Sequence, residues 1–307
     1  MTTLTGFQLP EPLAPGTAEW WTKYSASKVA AIVGLSKWDT PRSIYDAMKG
    51  IVPLQPQTDV QGRGHEFEPL IRGWFQDMHP DWSVEETSTW QHSLRDWQTA
   101  DPDGIVTLPD GTVELLEIKT ADDIHSWGDE VPIGYLVQVM WQMDVIGARR
   151  THLAACGPFE LFHRRPKVFV IDYDARDAEV LRERVLAFDQ QLQAGIQPAA
   201  DHSRDCDRLS VRYANTMIRD DPGVDVPAEI AVPYLEAFAA EASVAEAKKA
   251  TGSTLLEFLG ESKKATFRGI TIATRVNGSG GKPPSLRATN KLADKAPEIL
   301  AEKSAAA

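Results

Sequence analysis

Ala100-Asp-Pro-Asp-Gly-Ile-Val-Thr-Leu-Pro-Asp-Gly-Thr-Val-Glu-Leu-Leu-Glu-Ile-Lys-Thr120 is the stretch whose reading decides the fold. At its centre, Pro109-Asp110-Gly111 is a turn signal, because proline presets one backbone angle and glycine supplies a positive one. Two extended arms around such a turn make a hairpin. With Asp110 at the tip, Asp103 and Glu117 fall opposite each other, where facing Cβ atoms lie roughly 4.5 to 5.5 Å apart. Side chains alternate along a strand, so Glu117 and Lys119 share one face while Leu116 and Ile118 turn to the other, into a core. Two carboxylates and an ammonium therefore converge.

Two unpaired carboxylates this close do not readily both ionise unless a cation neutralises them. Oxygen ligands with no His or Cys beside them favour magnesium, or manganese, over zinc. Taken alone, the hairpin also reads as a surface turn with a Glu-to-Lys salt bridge. The flanking sequence has to decide.

Upstream, residues 1–16 hold three prolines and no periodicity, an extended arm. Ser25 or Ser27 caps a short helix that stops at Gly34, and Thr40-Pro41 opens another that ends before Gly50. Phe67, Leu70, Ile71, Trp74 and Phe75 recur at helical spacing within Gly64–Met78, and Trp82–Gln91 alternates as a strand. Downstream, Pro132–Gly147 reads as a core helix carrying Tyr135, Gln138 and Gln142 on one stripe. Three strands follow at Thr151–Ala155, Phe159–His163 and Lys167–Asp172, then a long helix from Asp174 to Gly195. The chain divides into the arm (1–16), a main domain (17–200), a linker (201–226), a helical and hairpin appendage (227–276, with helices to Lys249 and over Leu255–Leu259) and a flexible Gly-, Lys- and Ala-rich tail (277–307).

Composition narrows the function classes. A net charge of −12 excludes a protein that coats nucleic acid over its whole surface, although a local basic groove remains compatible with it. No apolar run approaches the ~20 residues that span a bilayer, and the first 15 residues lack a basic segment followed by an apolar one. A cytoplasmic protein with no membrane partner is expected. The two cysteines, Cys156 and Cys206, suit a reducing compartment and are too few for a four-cysteine iron–sulfur cluster. The seven histidines show no paired zinc spacing. Gly278-Ser-Gly-Gly-Lys-Pro283 lacks the spacing of a phosphate loop. Arg149-Arg150 and Arg164-Arg165-Pro-Lys167 are the densest basic groups, suited either to a DNA backbone or, for the first pair, to a helix C-terminal dipole.

With Pro102-Asp103, thirteen intervening residues and Glu117-Ile118-Lys119 in view, the chain resembles the PD-(D/E)XK nucleases. Ser25-Ala-Ser27 before its helix, Gly64-His-Glu-Phe-Glu68-Pro69, and Tyr135-Leu-Val-Gln138 make it similar, over residues 20–195, to the YqaJ-like viral recombinase family, which includes lambda exonuclease. That resemblance implies an α/β fold, a restriction-endonuclease-like core with a central mixed sheet flanked by helices, plus a small C-terminal α+β appendage. It implies Asp103, Glu117 and the Ile118 carbonyl as ligands of Mg2+ (or Mn2+), Glu68 as a further ligand in preference to Glu66, and Lys119 and Gln138 as groups that hold water and phosphate. It also implies a 5′-phosphate pocket at Ser27 and Ser25, with Lys23 standing where the family places an arginine. Each residue has a plainer alternative: Glu68 facing solvent, Gln138 in a polar core contact, Ser27 as a helix cap only, Asp101 as a solvated loop acid rather than a supporting ligand.

The activity implied is metal-dependent hydrolysis of DNA phosphodiester bonds, as a 5′ to 3′ exonuclease on double-stranded DNA ends in phage-type recombination. A homo-oligomer, a single-strand annealing partner and, for a phage-encoded chain, the host cytoplasm go with it. The alternatives are an endonuclease of the same fold, restriction-like or CRISPR-associated, and a DNA-binding protein that no longer cuts.

Overall fold

A computed structural model describes residues 4–52, 59–205, 212, 223–278 and 284–301. They fall into two units, Met1–Met217 and Ile218–Ala307. The first contains, in order, β1 (Gly6–Gln8), α1 (Ala18–Trp21), β2 (Tyr24–Ser25), α2 (Ala26–Ile32), α3 (Pro41–Met48), α4 (Asp59–Met78), β3 (Ser83–Glu85), β4 (Trp90–His92) and β5 (Arg95–Ala100). The hairpin strands β6 (Gly104–Thr107) and β7 (Val113–Thr120) come next, then α5 (Ile133–Ile146), β8 (Arg150–Cys156), α6 (Pro158–His163), β9 (Lys167–Asp172) and α7 (Ala175–Ala194). No described helix is long and apolar enough to cross a membrane.

The central sheet has the order β3-β6-β7-β8-β9, antiparallel except where β7 and β8 run parallel. A parallel pair needs a crossover, and α5 supplies it. Both faces of β7 are therefore buried. Leu116 and Ile118 pack with Ile71 and Phe75 of α4, while Leu115 on the other face joins Trp141 and Met140 of α5. Left-handed Gly147 ends α5 at φ 89°. A second sheet, β1-β4-β5-β2, packs beside it through α5. This is the α/β architecture expected from the sequence, a central mixed sheet flanked by helices.

Several local readings need correction. Phe159–His163 is not a strand but α6: Pro158 opens it without needing an N–H partner, and the Glu160 carboxylate accepts from the Gly157 N–H at 3.0 Å. Trp82–Gln91 splits into β3 and β4, which belong to different sheets. The N-terminal arm adds β1 to β4, with Phe7 opposite Gln91. The start of the 201–226 stretch is packed rather than free, since buried Asp205 accepts from Thr40 Oγ1 at 2.6 Å; most of the remaining stretch, with Cys206, lies outside the described residues.

In the second unit the two helices expected before residue 260 are one, α8 (Ala228–Leu259). Its Thr251, Ser253 and Thr254 hydroxyls donate back to carbonyls four residues earlier, at 2.8 to 3.2 Å, so these weak helix formers satisfy their hydroxyls within the helix. The hairpin β10 (Lys264–Phe267) and β11 (Ile270–Val276) turns at Arg268-Gly269. The segment from 277, read as a flexible tail, instead supplies β12 (Ser285–Ala288), antiparallel to β11, and α9 (Leu292–Ala301). The glycine-rich run at 279–283 is outside the described residues.

Candidate active site

The hairpin turn forms as its residues dictate. The Gly111 N–H donates to the Leu108 carbonyl at 2.9 Å, and Gly111 takes φ 81°. Register follows from it: Gly104 pairs with Leu116, so Asp103, one step beyond the last rung, stands opposite Glu117. The Asp103 carboxylate accepts from the Ile118 N–H at 2.6 Å. In an extended strand the N–H and C=O of one residue point to the same edge. The Ile118 carbonyl thus also faces the Asp103 side, where β6 has ended.

Glu117 is the most enclosed of the acids, 1% exposed. Its Oε1 accepts from Lys119 Nζ at 2.5 Å and from Gln138 Nε2 at 2.6 Å, and its Oε2 from Gln142 Nε2 at 2.8 Å. Gln138 and Gln142 reach it from successive turns of α5. Desolvation pushes the Asp103 carboxyl well above the usual carboxylate range, and the charges of Glu117 and Glu68 add to that, against Lys119 and the Ile118 N–H. Desolvation opposes the Lys119 ammonium, yet Glu117 and Asp103 outweigh it and hold the ammonium above its ordinary range. Glu68 sits on α4, bonded to His65 Nδ1 at 2.9 Å; its charge reaches Asp103, whereas Glu66 is exposed.

Among the described residues no three His, Cys, Asp or Glu side chains converge as a ready metal cluster. The donors are two facing carboxylates and a carbonyl, all hard oxygen, and the charges of Glu117 and Glu68 crowd on Asp103. That set fits magnesium or manganese and not zinc.

A cleft of about 850 Å³ opens beside these groups, lined by Gln138 and Tyr135 of α5, Thr120 of β7, Ser27 of α2 and Arg63 and Phe67 of α4. Ser25 is buried and its hydroxyl lies 3.1 Å from that of exposed Ser27. Ser25 occupies the cap position of α2 without bonding a helix N–H through its side chain. Lys23 does not join them, because its ammonium donates to the Asp96 carbonyl at 2.9 Å. The Arg149-Arg150 pair is likewise committed: Arg150 bonds Asp172 at 2.7 Å and Arg149 lies 5.2 Å from the Tyr173 ring.

Sequence reasoning missed two residues. Gln142 was visible one turn after Gln138, but an amide on an apolar helix does not announce its partner. Lys28 is 2% exposed, donates to the Trp20 and Lys23 carbonyls and lies 3.4 Å from the Trp20 ring centroid. Burial pushes its ammonium down to about 7, with the Asp101 carboxylate pulling the other way. No local pattern signals that contact, since it depends on the fold of α1 back over α2. Asp101 is held by Thr89 Oγ1 at 2.5 Å.

Residues 21–149 match the YqaJ-like viral recombinase domain. The matched span holds Ser25, Ser27, Glu68, Asp103, Glu117, Lys119 and Gln138, and ends earlier than the 20–195 expected. An uncharacterized protein YqaJ of Bacillus subtilis (strain 168) is 25% identical over 201 residues, covering 62% of this chain and 60% of that protein. The chain thus spans about 60% of the length of that curated relative. An alkaline exonuclease, LHK-Exo, from Laribacter hongkongensis is 22% identical, with 62% of this chain and 99% of that one covered at a TM-score of 0.46. A phage related exonuclease from Haemophilus somnus 129PT is 16% identical, covering 57% and 95%, at a TM-score of 0.42.

Proposed function

We propose that this protein is a metal-dependent nuclease, a 5′ to 3′ exonuclease acting on the ends of linear double-stranded DNA in recombination. The observation that carries the reading is the Glu117 carboxylate, sequestered opposite Asp103 and held by Lys119, Gln142 and Gln138, the last of which lines an open cleft. The match to a viral recombinase domain supports the recombination setting.

Asp103, Glu117 and the Ile118 carbonyl would hold Mg2+, or Mn2+, with Glu68 near enough to contribute through its charge. Bound there, the cation supplies a water of lowered pKa and neutralises phosphate charge. Lys119 places an ammonium beside the carboxylates, where negative charge accumulates on a phosphate under attack. Gln138 belongs to both the carboxylate and the cleft, so it can orient a water or phosphate oxygen against Glu117. Ser27, backed by Ser25, offers a hydroxyl for a terminal 5′-phosphate at the start of α2, where free N–H groups favour an anion. Contacts of this kind read backbone and not base identity.

The test is degradation of linear duplex bearing 5′-phosphates, beside covalently closed circles, with magnesium or with EDTA. Loss of linear DNA alone, in magnesium alone, and its abolition by Lys119→Ala is the expected result. Cutting of closed circles would instead establish an endonuclease, and inertness toward both a binding protein.

A further inference from the structure

Eight of the nine tryptophans are buried or half-buried, as befits so large an apolar ring. Trp38 is the exception, with 72% of its surface exposed. It stands between α2 and α3 on the lip of the cleft. Its backbone is tied down on both sides. Ser36 Oγ accepts from the N–H groups of Trp38 and Asp39, each at 3.1 Å. The Arg204 guanidinium donates to the carbonyls of Ser36 and Asp39, the latter at 3.1 Å. The turn is thus fastened while the indole is left out, which is how a binding ring is presented at low entropic cost.

Positive charge accompanies the ring. Lys37 Nζ lies 5.1 Å from the indole centroid, and the exposed Arg63 lines the same cleft. An aromatic face flanked by cations at the mouth of a cleft suits an unpaired nucleotide, whose base stacks while its phosphate meets the cations. Inside a duplex both faces of a base are already covered, so such a ring serves a frayed or single-stranded end.

We propose that Trp38 is a nucleobase-stacking platform for an unpaired DNA strand entering the cleft, with Lys37 and Arg63 on its phosphates. The proposal rests on the nuclease reading above and adds to it a subsite for the base. It gives the protein a preference for unpaired ends that backbone contacts alone do not create.

Fluorescence anisotropy of the full-length protein in EDTA tests it, using duplexes with a short 5′ oligothymidine tail or the same tail built of abasic residues. The wild type should bind the base-bearing tail about tenfold more tightly. Trp38→Ala should lose that preference with an unchanged melting temperature, and Trp38→Phe should keep most of it. In degradation assays Trp38→Ala should raise KM more than it lowers kcat. A Trp38→Ala protein that still prefers the base-bearing tail overturns the stacking role, as does an equal loss on both tails. Should the wild type degrade DNA normally while Trp38→Ala matches it in binding and KM, only the stacking role falls. A wild type that degrades no DNA removes the nuclease reading and this subsite together.

Discussion

At the scale of single residues, the arrangement around Glu117 separates charge from positioning. Lys119 brings a full charge to one carboxylate oxygen, while Gln142, wholly buried, bonds the other and leaves its own Oε1 without a donor among the described groups. An acceptor left unbonded in a core costs about 1–3 kcal/mol, so Gln142 is a poor choice for packing alone. Replacing it by leucine keeps most of the volume and frees the Glu117 Oε2 to rotate. Outer partners of metal-binding carboxylates typically contribute about 10- to 100-fold in activity or metal affinity. Gln142→Leu should therefore slow degradation of linear duplex by about that factor and weaken Mn2+ binding in calorimetry, with little change in melting temperature. An unchanged affinity and rate would reduce Gln142 to core filling. The facing of Asp103 and Glu117 was legible by counting outward from Pro109-Asp110-Gly111, because a hairpin's register is set by its turn. What sits behind Glu117 was not, because Gln142 meets it only after a crossover of 25 residues.

At the scale of elements, α5 is held from its solvent-remote side by one acid. Asp144 accepts from Arg95 at 3.1 Å and Gln98 at 2.8 Å, both on β5, from the Tyr173 hydroxyl at 2.8 Å, and from Arg182 of α7 at 2.5 Å. Since α5 also delivers Gln138 and Gln142, this network fixes the helix that positions the site. Burial pushes the Asp144 carboxyl up, but the bonds from Gln98, Arg182 and Tyr173 outweigh it, and the group ends below its ordinary 3.8. A depressed folded-state value stabilises fully above 3.8 and loses that contribution as pH falls through the lower folded value. Asp144→Ala should cost about 3 kcal/mol, since it strands two arginines and an amide, and denaturant unfolding at neutral pH measures it. Asp144→Asn should flatten the acid limb of a stability profile taken from pH 5 downward; a limb as steep as the wild type's would place the acid sensitivity elsewhere.

Elements also show where pattern reading ran out. Helices with an apolar stripe and a terminal glycine, such as α5 and α7, were readable because both signals are local. The short α6 was not, since Phe159 and Phe162 look like strand residues until the Gly157–Glu160 cap is known. The junction inside α8 was misread because hydroxyls that break helices in isolation can bond back to the preceding turn.

For the whole molecule, the balance of charge bears on how a nuclease of the proposed kind would hold DNA. A protein with net charge −12 repels a polyanion at long range, so its affinity must come from a few close contacts inside the cleft. Lys37 and Arg63 line that cleft, and Lys119 stands on the neighbouring hairpin, paired with Glu117. If each neutralises one phosphate, log K should fall with log salt at a slope of about −3, since each contact contributes about −0.9. Arg63→Ala should flatten the slope by about one while leaving base preference unchanged. Anisotropy titrations between about 50 and 300 mM salt measure both quantities. A slope steeper than about −6 would require a broad basic track across the surface, which the sequence's acidic excess argues against. A shallow slope, together with the base preference lost on removing Trp38, would mean that the chain holds its substrate by the end and not along its length.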